Sequence, residues 1–238
     1  MAGGYYTALS GMRTRMDALD RLASDIANTS TAGYKTERAG TVQADRPSFG
    51  AVLQSAVDVT NGPARLNLRP GSLASTGRPL DLAIEGSGFF VVDTPAGPRY
   101  TRNGHLVRRA DGVLATDGGD AIQGVSGPIQ LGEGAIEIDS DGTVRSPTGV
   151  VGSLKVVEFA PDVQLVREGS SRFRTDAQPR KVERPSLAIG AIEQSNVSVV
   201  ERVAELSEVT RSYEALLRAV SVLMNDVDKT AISELGRR

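Results

Sequence analysis

The residue best suited to acid–base or metal chemistry is His105, the only histidine of the chain, which lies in the segment "TRNGHLV". It has no second histidine and no cysteine with which to share a metal ion, and it lacks the sequence context of a serine–histidine–aspartate site. The chain contains no cysteine at all, which excludes disulfides, thiolate metal sites and a cysteine nucleophile. The sequence therefore predicts no metal site and no catalytic residue, and we interpret His105 as a surface residue of a turn or strand.

Other patterns that could support binding or catalysis are weak. "GSGFF" at Gly86–Phe90 resembles part of a dinucleotide-binding loop, but the third glycine is missing and β-rich sequence follows where a helix should begin. Carboxylates fall in turns such as "TDGGD", where aspartate caps its own backbone, so a glycosidase pair is only a weak alternative. The basic residues near position 100 lack interleaved aromatic residues, and the net charge is only -2. We read these basic residues, which are Arg99, Arg102, Arg108 and Arg109, as a solvated strand face. We expect no cofactor and no nucleic-acid partner.

Apolar residues recur with heptad spacing at both ends of the chain. Near the N-terminus the repeat comprises Leu9, Met12, Met16, Leu19, Ala23 and Ile26. Near the C-terminus it comprises Val199, Val203, Leu206, Thr210, Tyr213, Leu217, Val220, Met224 and Val227. A strict period of 3.5 residues predicts a helix whose apolar seam packs against another helix. For the first helix, packing on its own globular core is an equal alternative. We expect the two helices to pair with each other or with helices of neighbouring subunits.

The sequence between the helices has a different residue pattern. From Ser72 to Pro185 no helical period is present, and short β-rich runs alternate with glycine, proline and Asp-Gly turns. "SDGT" at Ser140–Thr143 and "RADGV" at Arg109–Val113 are hairpin signals. This stretch predicts an all-β domain with an aliphatic core, because only 4% of the residues are aromatic. Thr36–Pro70 fits neither class and is interpreted as an extended connector that packs on something outside the chain.

These patterns predict an α+β protein. Long N- and C-terminal helices form a coiled-coil-like helical domain, with an inserted all-β domain and an extended connector. The expected boundaries are 1–35 for the N-terminal helix and turn, 36–71 for the connector, 72–185 for the β domain and 186–238 for the C-terminal helix, which packs with the N-terminal one.

Neither a secretory signal nor a membrane span is expected. The first thirty residues lack an apolar core behind a basic start, and runs such as "FFVV" are too short to cross a bilayer. We therefore expect a chain without a cleaved signal peptide and without membrane insertion. It would be either cytosolic or exported by a route that does not read such a signal.

Three segments resemble one known family. The first is "YTALSGMRTRMDALDRLASDIANTSTAGYKTER", which is similar to the signature of the bacterial flagellar axial proteins of rod and hook. In that family a heptad helix leads into an Asn-rich segment and a Thr-x-Gly-Tyr/Phe-Lys turn. The matching positions here are Asn28, Thr31, Gly33, Tyr34 and Lys35. The second segment, "RPLDLAIEGSGFFVV", resembles the opening of the family's β domain. The third, "GAIEQSNVSVVERV", resembles its Glu-x-Ser-Asn-Val approach to the closing helix, with Glu193, Ser195, Asn196 and Val197 on the motif.

The resemblance covers nearly the whole chain and is strongest to the proximal rod proteins. It implies a non-catalytic structural subunit of the basal-body rod, which assembles helically around an export channel and transmits torque. It further implies passage through the flagellar type III export apparatus without a cleaved signal. The expected location is the periplasm-spanning rod, and the expected partners are other rod subunits of the same and of different kinds. A distal rod or hook-type subunit stays open as an alternative, as does a β-domain adaptor dimerised by its coiled-coil termini.

The turn after the first helix is interpreted as a helix stop that redirects the chain into the connector. Asn28 and Thr31 compete with the helical backbone, and Gly33 supplies a left-handed or turn position. The ring of Tyr34 is expected to pack, and the ammonium group of Lys35 is expected to stay in water.

Overall fold

The computed structural model describes residues 2–40 and 62–235. Their contacts divide the chain into two compact units. Unit 1 contains the described residues of Met1–Ala27, Glu37–Ala64 and Ser198–Arg238, and unit 2 contains Asn28–Thr36 and Arg65–Val197. Each unit is therefore built from segments that are far apart in sequence. Most of the predicted connector, residues 41–61, lies outside the described part of the chain.

Unit 1 consists mainly of one helix near each end of the chain. Helix α1 spans Ala2–Ala27 and helix α2 spans Val199–Leu235. Strand β1 (Glu37–Gly40) pairs with strand β2 (Gly62–Leu66), whose first residues belong to the same unit. Over their described residues, neither α1 nor α2 contains an apolar stretch of the kind that crosses a membrane.

The two helices pack against each other along one row of each. On α2 the residues that are buried or half-buried at heptad-like spacing are Arg202, Leu206, Val209, Tyr213, Leu216 and Val220. A methyl group added at Gly11 of α1 would lie 3.5 Å from Leu216, which is an ordinary van der Waals contact, so the helices pack closely at this position. Nε of Arg202 lies 3.6 Å from Oδ2 of Asp25. The pairing therefore combines apolar packing with a charged contact at one end.

The predicted fold class is wrong. The described chain has one helix near each end and a large β-rich body, and its helices do not form a coiled-coil domain around an inserted β domain. A coiled coil buries both apolar positions of each heptad. Here only one of the two is covered: Leu206 and Tyr213 are half-buried, whereas Leu9, Met16, Val203 and Leu217 are 39–52% exposed. Most buried apolar side chains lie in the β-rich body instead.

Unit 2 contains the remaining described strands, which are short. They are β3 (Leu73–Ser75), β4 (Leu82–Glu85), β5 (Phe89–Thr94), β6 (Gly97–Thr101), β7 (Leu106–Arg108), β8 (Leu114–Thr116), β9 (Ala121–Gly124), β10 (Gly127–Pro128), β11 (Glu137–Ile138), β12 (Thr143–Ser146), β13 (Gly149–Ser153), β14 (Val156–Glu158), β15 (Val166–Glu168), β16 (Arg172–Arg174), β17 (Arg180–Lys181), β18 (Ser186–Ile189) and β19 (Ala191–Glu193). The main sheet of the described residues has the order β15-β16-β6-β5-β9-β8-β7, with β10 beside β9, and with β14 between β5 and β17. Smaller sheets are formed by β11-β12-β13, by β18-β4 and by β19-β3. The pairs within these sheets are antiparallel.

Strand β5 is buried on both of its faces. Because side chains alternate along a strand, Phe90 and Val92 enter one apolar cluster while Phe89 and Val91 enter another. This explains why "FFVV" is a continuous apolar run rather than an alternating one. Unit 2 therefore has apolar packing on both sides of its main sheet.

Both predicted hairpin turns are confirmed. "RADGV" joins β7 to β8, and Gly112 in it has φ +82°. "SDGT" joins β11 to β12, and Gly142 in it has φ +84°. A residue with a side chain rarely adopts these left-handed angles, so each Asp-Gly pair fixes the position of its turn.

Candidate functional site: a buried charged junction

Unit 2 is closed at one place by segments that come from both ends of the chain. We call this place the junction and define it by Gly33–Thr36, Asn67–Ser72, Arg102, Arg167 and Glu193–Asn196. All of these residues belong to unit 2. The junction brings together residues of the N-terminal turn and of the C-terminal motif, and it is the candidate functional site.

The N-terminal part of the junction follows the end of α1. The N–H of Thr31 donates to the carbonyl of Asn28 at 3.2 Å, and the hydroxyl of Thr31 donates to Oδ1 of Asn28 at 3.0 Å. Gly33 has φ +69°, the left-handed conformation that the sequence predicts for it. A Cβ at Gly33 would also overlap the backbone at Arg102. Glycine is therefore required at this position both by conformation and by space.

Lys35, Arg102 and Glu193 form a buried ionic cluster at the centre of the junction. Lys35 and Glu193 have no exposed side-chain surface, and the side chain of Arg102 is 3% exposed. Nζ of Lys35 donates to Oε1 of Glu193 and, at 2.9 Å, to the carbonyl of Arg69. Arg102 donates to the other carboxylate oxygen at 2.8 Å, and the N–H of Gly71 donates to Oε1 at 3.0 Å. Both oxygens of the carboxylate are thus used.

The ionisation of the cluster follows from burial and from the two cations. Burial lowers the pKa of Lys35, and the nearby Arg102 lowers it further, against the raising effect of Glu193. Burial alone would raise the pKa of Glu193, but the charges of Arg102 and Lys35 outweigh it and hold that pKa below its usual value. With Lys35 protonated, the cluster contains more positive than negative charge. Glu193 is therefore the anion that allows both cations to be buried.

Asn196 joins three segments of unit 2 through one side chain. Its Oδ1 accepts from the N–H of Thr36 at 2.8 Å. Its Nδ2 donates to the carbonyls of Asn67 at 2.7 Å and Arg69 at 3.0 Å. The N–H of Asn196 donates to the carbonyl of Tyr34 at 3.3 Å. The asparagine of the C-terminal motif therefore connects the turn to the segment that follows β2.

Arg167 of β15 covers the turn from the side of the main sheet. Its guanidinium lies 4.2 Å from the centre of the Tyr34 ring and donates to the Tyr34 hydroxyl and to the carbonyl of Lys35. Tyr34 has no exposed surface, so its ring packs as predicted. The prediction that the ammonium group of Lys35 stays in water is wrong, because Glu193 and Arg69 replace water around it.

The helix residues predicted for the seam are distributed over two kinds of position. Half-buried ones are Met12, Leu19, Ile26, Leu206, Tyr213 and Val220, and exposed ones are Leu9, Met16, Ala23, Val199, Val203, Thr210 and Leu217. The side chains of Met224 and Val227 lie outside the described part. Each helix therefore has a second apolar row that the other helix of the same chain does not cover.

The sequence reading missed Arg102 and Arg167. It treated Arg102 and Arg99 as part of a solvated strand face, which is wrong because both are buried and paired, Arg99 with Glu168 at 2.7 Å. Arg108 and Arg109 are exposed. No local pattern distinguishes a buried arginine from an exposed one, so only its distant carboxylate partner could have identified it.

His105 borders a polar cavity of about 640 Å³ in unit 2, together with Asn103, Asp117, Asp120 and Arg172. Its Nδ1 lies 3.0 Å from a carboxylate oxygen of the buried Asp81, and its Nε2 lies 3.1 Å from the guanidinium of Arg78. Within residues 2–40 and 62–235, no cluster of histidine, aspartate and glutamate side chains could hold a metal ion. His105 therefore takes part in a local polar contact.

Known proteins match this chain over nearly its whole length. The family model for the flagellar hook protein FlgE/F/G D1 domain matches residues 83–146, and that for the flagellar basal body rod FlgEFG protein C-terminal region matches residues 188–233. Flagellar basal-body rod protein FlgF of Mesorhizobium japonicum is 33% identical over 97% of this chain and 98% of its own. The chain belongs to the flagellar basal-body rod protein family. FlgF of Rhizobium meliloti is 31% identical over 99% of both chains. FlgG of Bacillus subtilis is 28% identical over 90% of this chain and 92% of its own.

Membership of the rod family fixes the general role of the chain. It is a structural subunit of the basal-body rod and not an enzyme, and its place is the flagellar basal body. Arg102 lies within the first family match, and Glu193 and Asn196 lie within the second. The ionic cluster therefore connects the two matched regions of a rod protein to Lys35 of the N-terminal turn.

Proposed function

We propose that this chain is a rod subunit that assembles helically around the export channel and transmits torque, packing through its uncovered helix rows against other rod subunits. The observation that carries the proposal is the exposed apolar row on each terminal helix. Leu9 and Met16 of α1 are 39% and 52% exposed, and Val203 and Leu217 of α2 are 46% and 43% exposed.

The spacing of each row supports another helix as its partner. Leu9, Met16 and Ala23 are seven residues apart, as are Val203, Thr210 and Leu217. A row of side chains at seven-residue spacing can pack against a similar row on another helix. Each side chain of one row then inserts between side chains of the other at every second turn. A neighbouring subunit of the same family supplies such helices at both of its ends. Contacts of this head-to-tail kind continue into a helical assembly when they do not close into a ring.

Membership of the family supports a proposal about export and location. We propose that the chain passes through the flagellar type III export apparatus without a cleaved signal and takes its place in the periplasm-spanning part of the rod. The resemblance of the N-terminal segment favours the proximal rod over the distal rod or hook. Greater identity to FlgF relatives than to the FlgG relative supports a subunit of the FlgF kind.

The exposed row can be tested with a pair of α2 variants. Leu217→Asp places a carboxylate in the row, and the control Ala215→Asp places one at an exposed position outside it. Both sites are exposed in the single chain. We therefore expect the free energy of unfolding of each variant, measured in urea, to lie within about 0.5 kcal/mol of the wild-type value. In a strain that lacks the native gene, Leu217→Asp should prevent rod assembly and motility, and Ala215→Asp should support both. Normal rods from Leu217→Asp, or a closed dimer of wild-type chains in light scattering, would contradict the proposal.

A further inference from the structure

The segment Glu193–Asn196 supplies hydrogen-bond partners to much earlier parts of unit 2. The carbonyl of Glu193 accepts from Gly33 at 2.8 Å, and the N–H of Gln194 donates to the carbonyl of Ser72 at 2.8 Å. The Gln194 side chain accepts from the hydroxyl of Ser72 at 2.7 Å. Together with the contacts of Asn196, these bonds make the closing of the N-terminal turn depend on a segment that lies some 160 residues later in the chain (Glu193 minus Gly33).

The charges make this dependence strong. Lys35 and Arg102 are both cations, and the charge of Arg102 disfavours the charged form of Lys35. Glu193 is the carboxylate that contacts both of them. A buried charge without a partner is costly. Lys35 and Arg102 therefore cannot be buried together before Glu193 is in place, and until then water must solvate at least one of them.

The backbone contacts add a steric requirement. A Cβ at Gly71 would overlap the carbonyl of Gln194, so the two chain segments approach as closely as their backbones allow. The N–H of Gly71 is satisfied by the carboxylate of Glu193 itself. Without the later segment, this glycine has a large number of accessible conformations and loses its partner.

The hairpins of the main sheet have no such dependence. Phe90 of β5 pairs with Thr101 of β6, and Leu106 of β7 pairs with Thr116 of β8. These partners lie close together in the sequence, so the loop-closure entropy of forming each pair is small. The hairpins of the sheet can form from local sequence as soon as they are available.

We propose that the junction is the last part of unit 2 to close and that Glu193 is the residue that closes it. In a chain that emerges with its N-terminus first, the main sheet forms while the turn at Gly33–Thr36 is still open. The turn is fixed only when Glu193–Asn196 arrives. The contacts that set this order all lie within unit 2, so it does not depend on the proposed function.

The order of closing can be measured by hydrogen exchange on the full chain. In pulse labelling during refolding from urea, the amides of Leu114 and Leu131, which bond to Ile129 and Gly112, report on the sheet. The amides of Gly33, Thr36 and Gly71 report on the junction. We expect the sheet amides to become protected in an earlier phase than the junction amides. Protection of the junction in the same phase or an earlier one would overturn the proposal.

The role of the carboxylate is tested at equilibrium, with the folded chain in dilute urea. Glu193→Gln keeps the shape but removes the charge, and the control Glu208→Gln changes an exposed glutamate of α2. We expect Glu193→Gln to speed exchange at the junction amides by roughly a hundredfold and to leave the sheet amides slower than the junction. Unchanged junction exchange, or equal acceleration of both groups, would overturn it. If Glu193→Gln does not fold, hydrogen exchange of the wild-type chain decides. Junction amides that exchange at a lower free energy than global unfolding support the proposal. Junction amides that exchange only through global unfolding contradict it.

Discussion

Lys35 and Glu193 form a fully buried ion pair although 158 residues separate them in the chain. The pair also brings the N-terminal turn and the C-terminal motif of the rod family into direct contact. Removal of one partner from such a pair leaves a buried charge and costs about 3–5 kcal/mol.

The stability that Glu193 contributes should be lost in acid. Its pKa is lower in the folded chain than the usual 4.5, so the folded state binds a proton less readily than the unfolded state. The contribution of Glu193 to stability is therefore complete above about pH 4.5 and declines as the pH falls through the lowered pKa of the folded chain. Urea unfolding at a series of pH values should show wild type and Glu193→Gln converging as the solution becomes acidic. A difference that stays constant from neutral to strongly acidic pH would exclude this origin. Glu208→Gln should follow wild type throughout.

Gly33 should not tolerate a β-branched residue. Valine at a left-handed position costs roughly 1–2 kcal/mol, and its Cβ would in addition overlap the backbone of Arg102 and Asn103. Because that backbone belongs to unit 2, the damage extends beyond the turn itself. We expect Gly33→Val to lower the urea midpoint and to abolish motility, whereas the control Ser30→Ala, at a nearby exposed position, should have little effect. Equal motility of the two variants would rule out the requirement for glycine.

Arg167 should contribute measurably to stability through the turn. Arg167→Met removes the contact with the Tyr34 ring and leaves the buried Tyr34 hydroxyl and the carbonyl of Lys35 without this donor. An unsatisfied buried group costs about 1–3 kcal/mol. We expect urea unfolding of Arg167→Met to show a loss of unfolding free energy in this range. Arg174 is exposed on the neighbouring strand, so Arg174→Met should have near-wild-type stability. A loss as large in the control would assign the effect to general surface charge.

The neutral form of the His105 imidazole should be a single tautomer. Arginine can only donate, so Nε2 facing Arg78 at 3.1 Å must be the unprotonated nitrogen, and Nδ1 carries the proton toward Asp81. Long-range ¹H–¹⁵N correlation spectra should show this pattern for the chain's only histidine. Arg78→Met should shift the spectrum toward a mixture of tautomers. A wild-type spectrum with the proton on Nε2 would contradict this geometry.

Local sequence was sufficient for the helices and turns and insufficient for the junction. The end of α1 before Asn28, the two Asp-Gly hairpins and the left-handed Gly33 all follow from preferences of a few neighbouring residues. The heptad repeats also predicted helices, but a repeat contains two apolar rows and does not say which row the same chain covers. This is why Leu206 is half-buried and Leu217 is exposed although both fit the pattern. The partner of Lys35 could not be predicted, because pairing at a separation of 158 residues leaves no local signal.

The position of Asn196 has a mechanical consequence. The chain leaves or enters unit 2 between residues 27 and 28, 36 and 37, 64 and 65, and 197 and 198. Thr36, Asn67 and Asn196 lie within three residues of the last three crossings and bond to one another. Tension applied along the chain from outside unit 2 therefore passes from one crossing to the next through a few short hydrogen bonds and the Lys35–Glu193 pair. The strands of the main sheet lie off this load path. We expect such tension to break the contacts of Thr36 and Asn196 before it separates the strands of the main sheet.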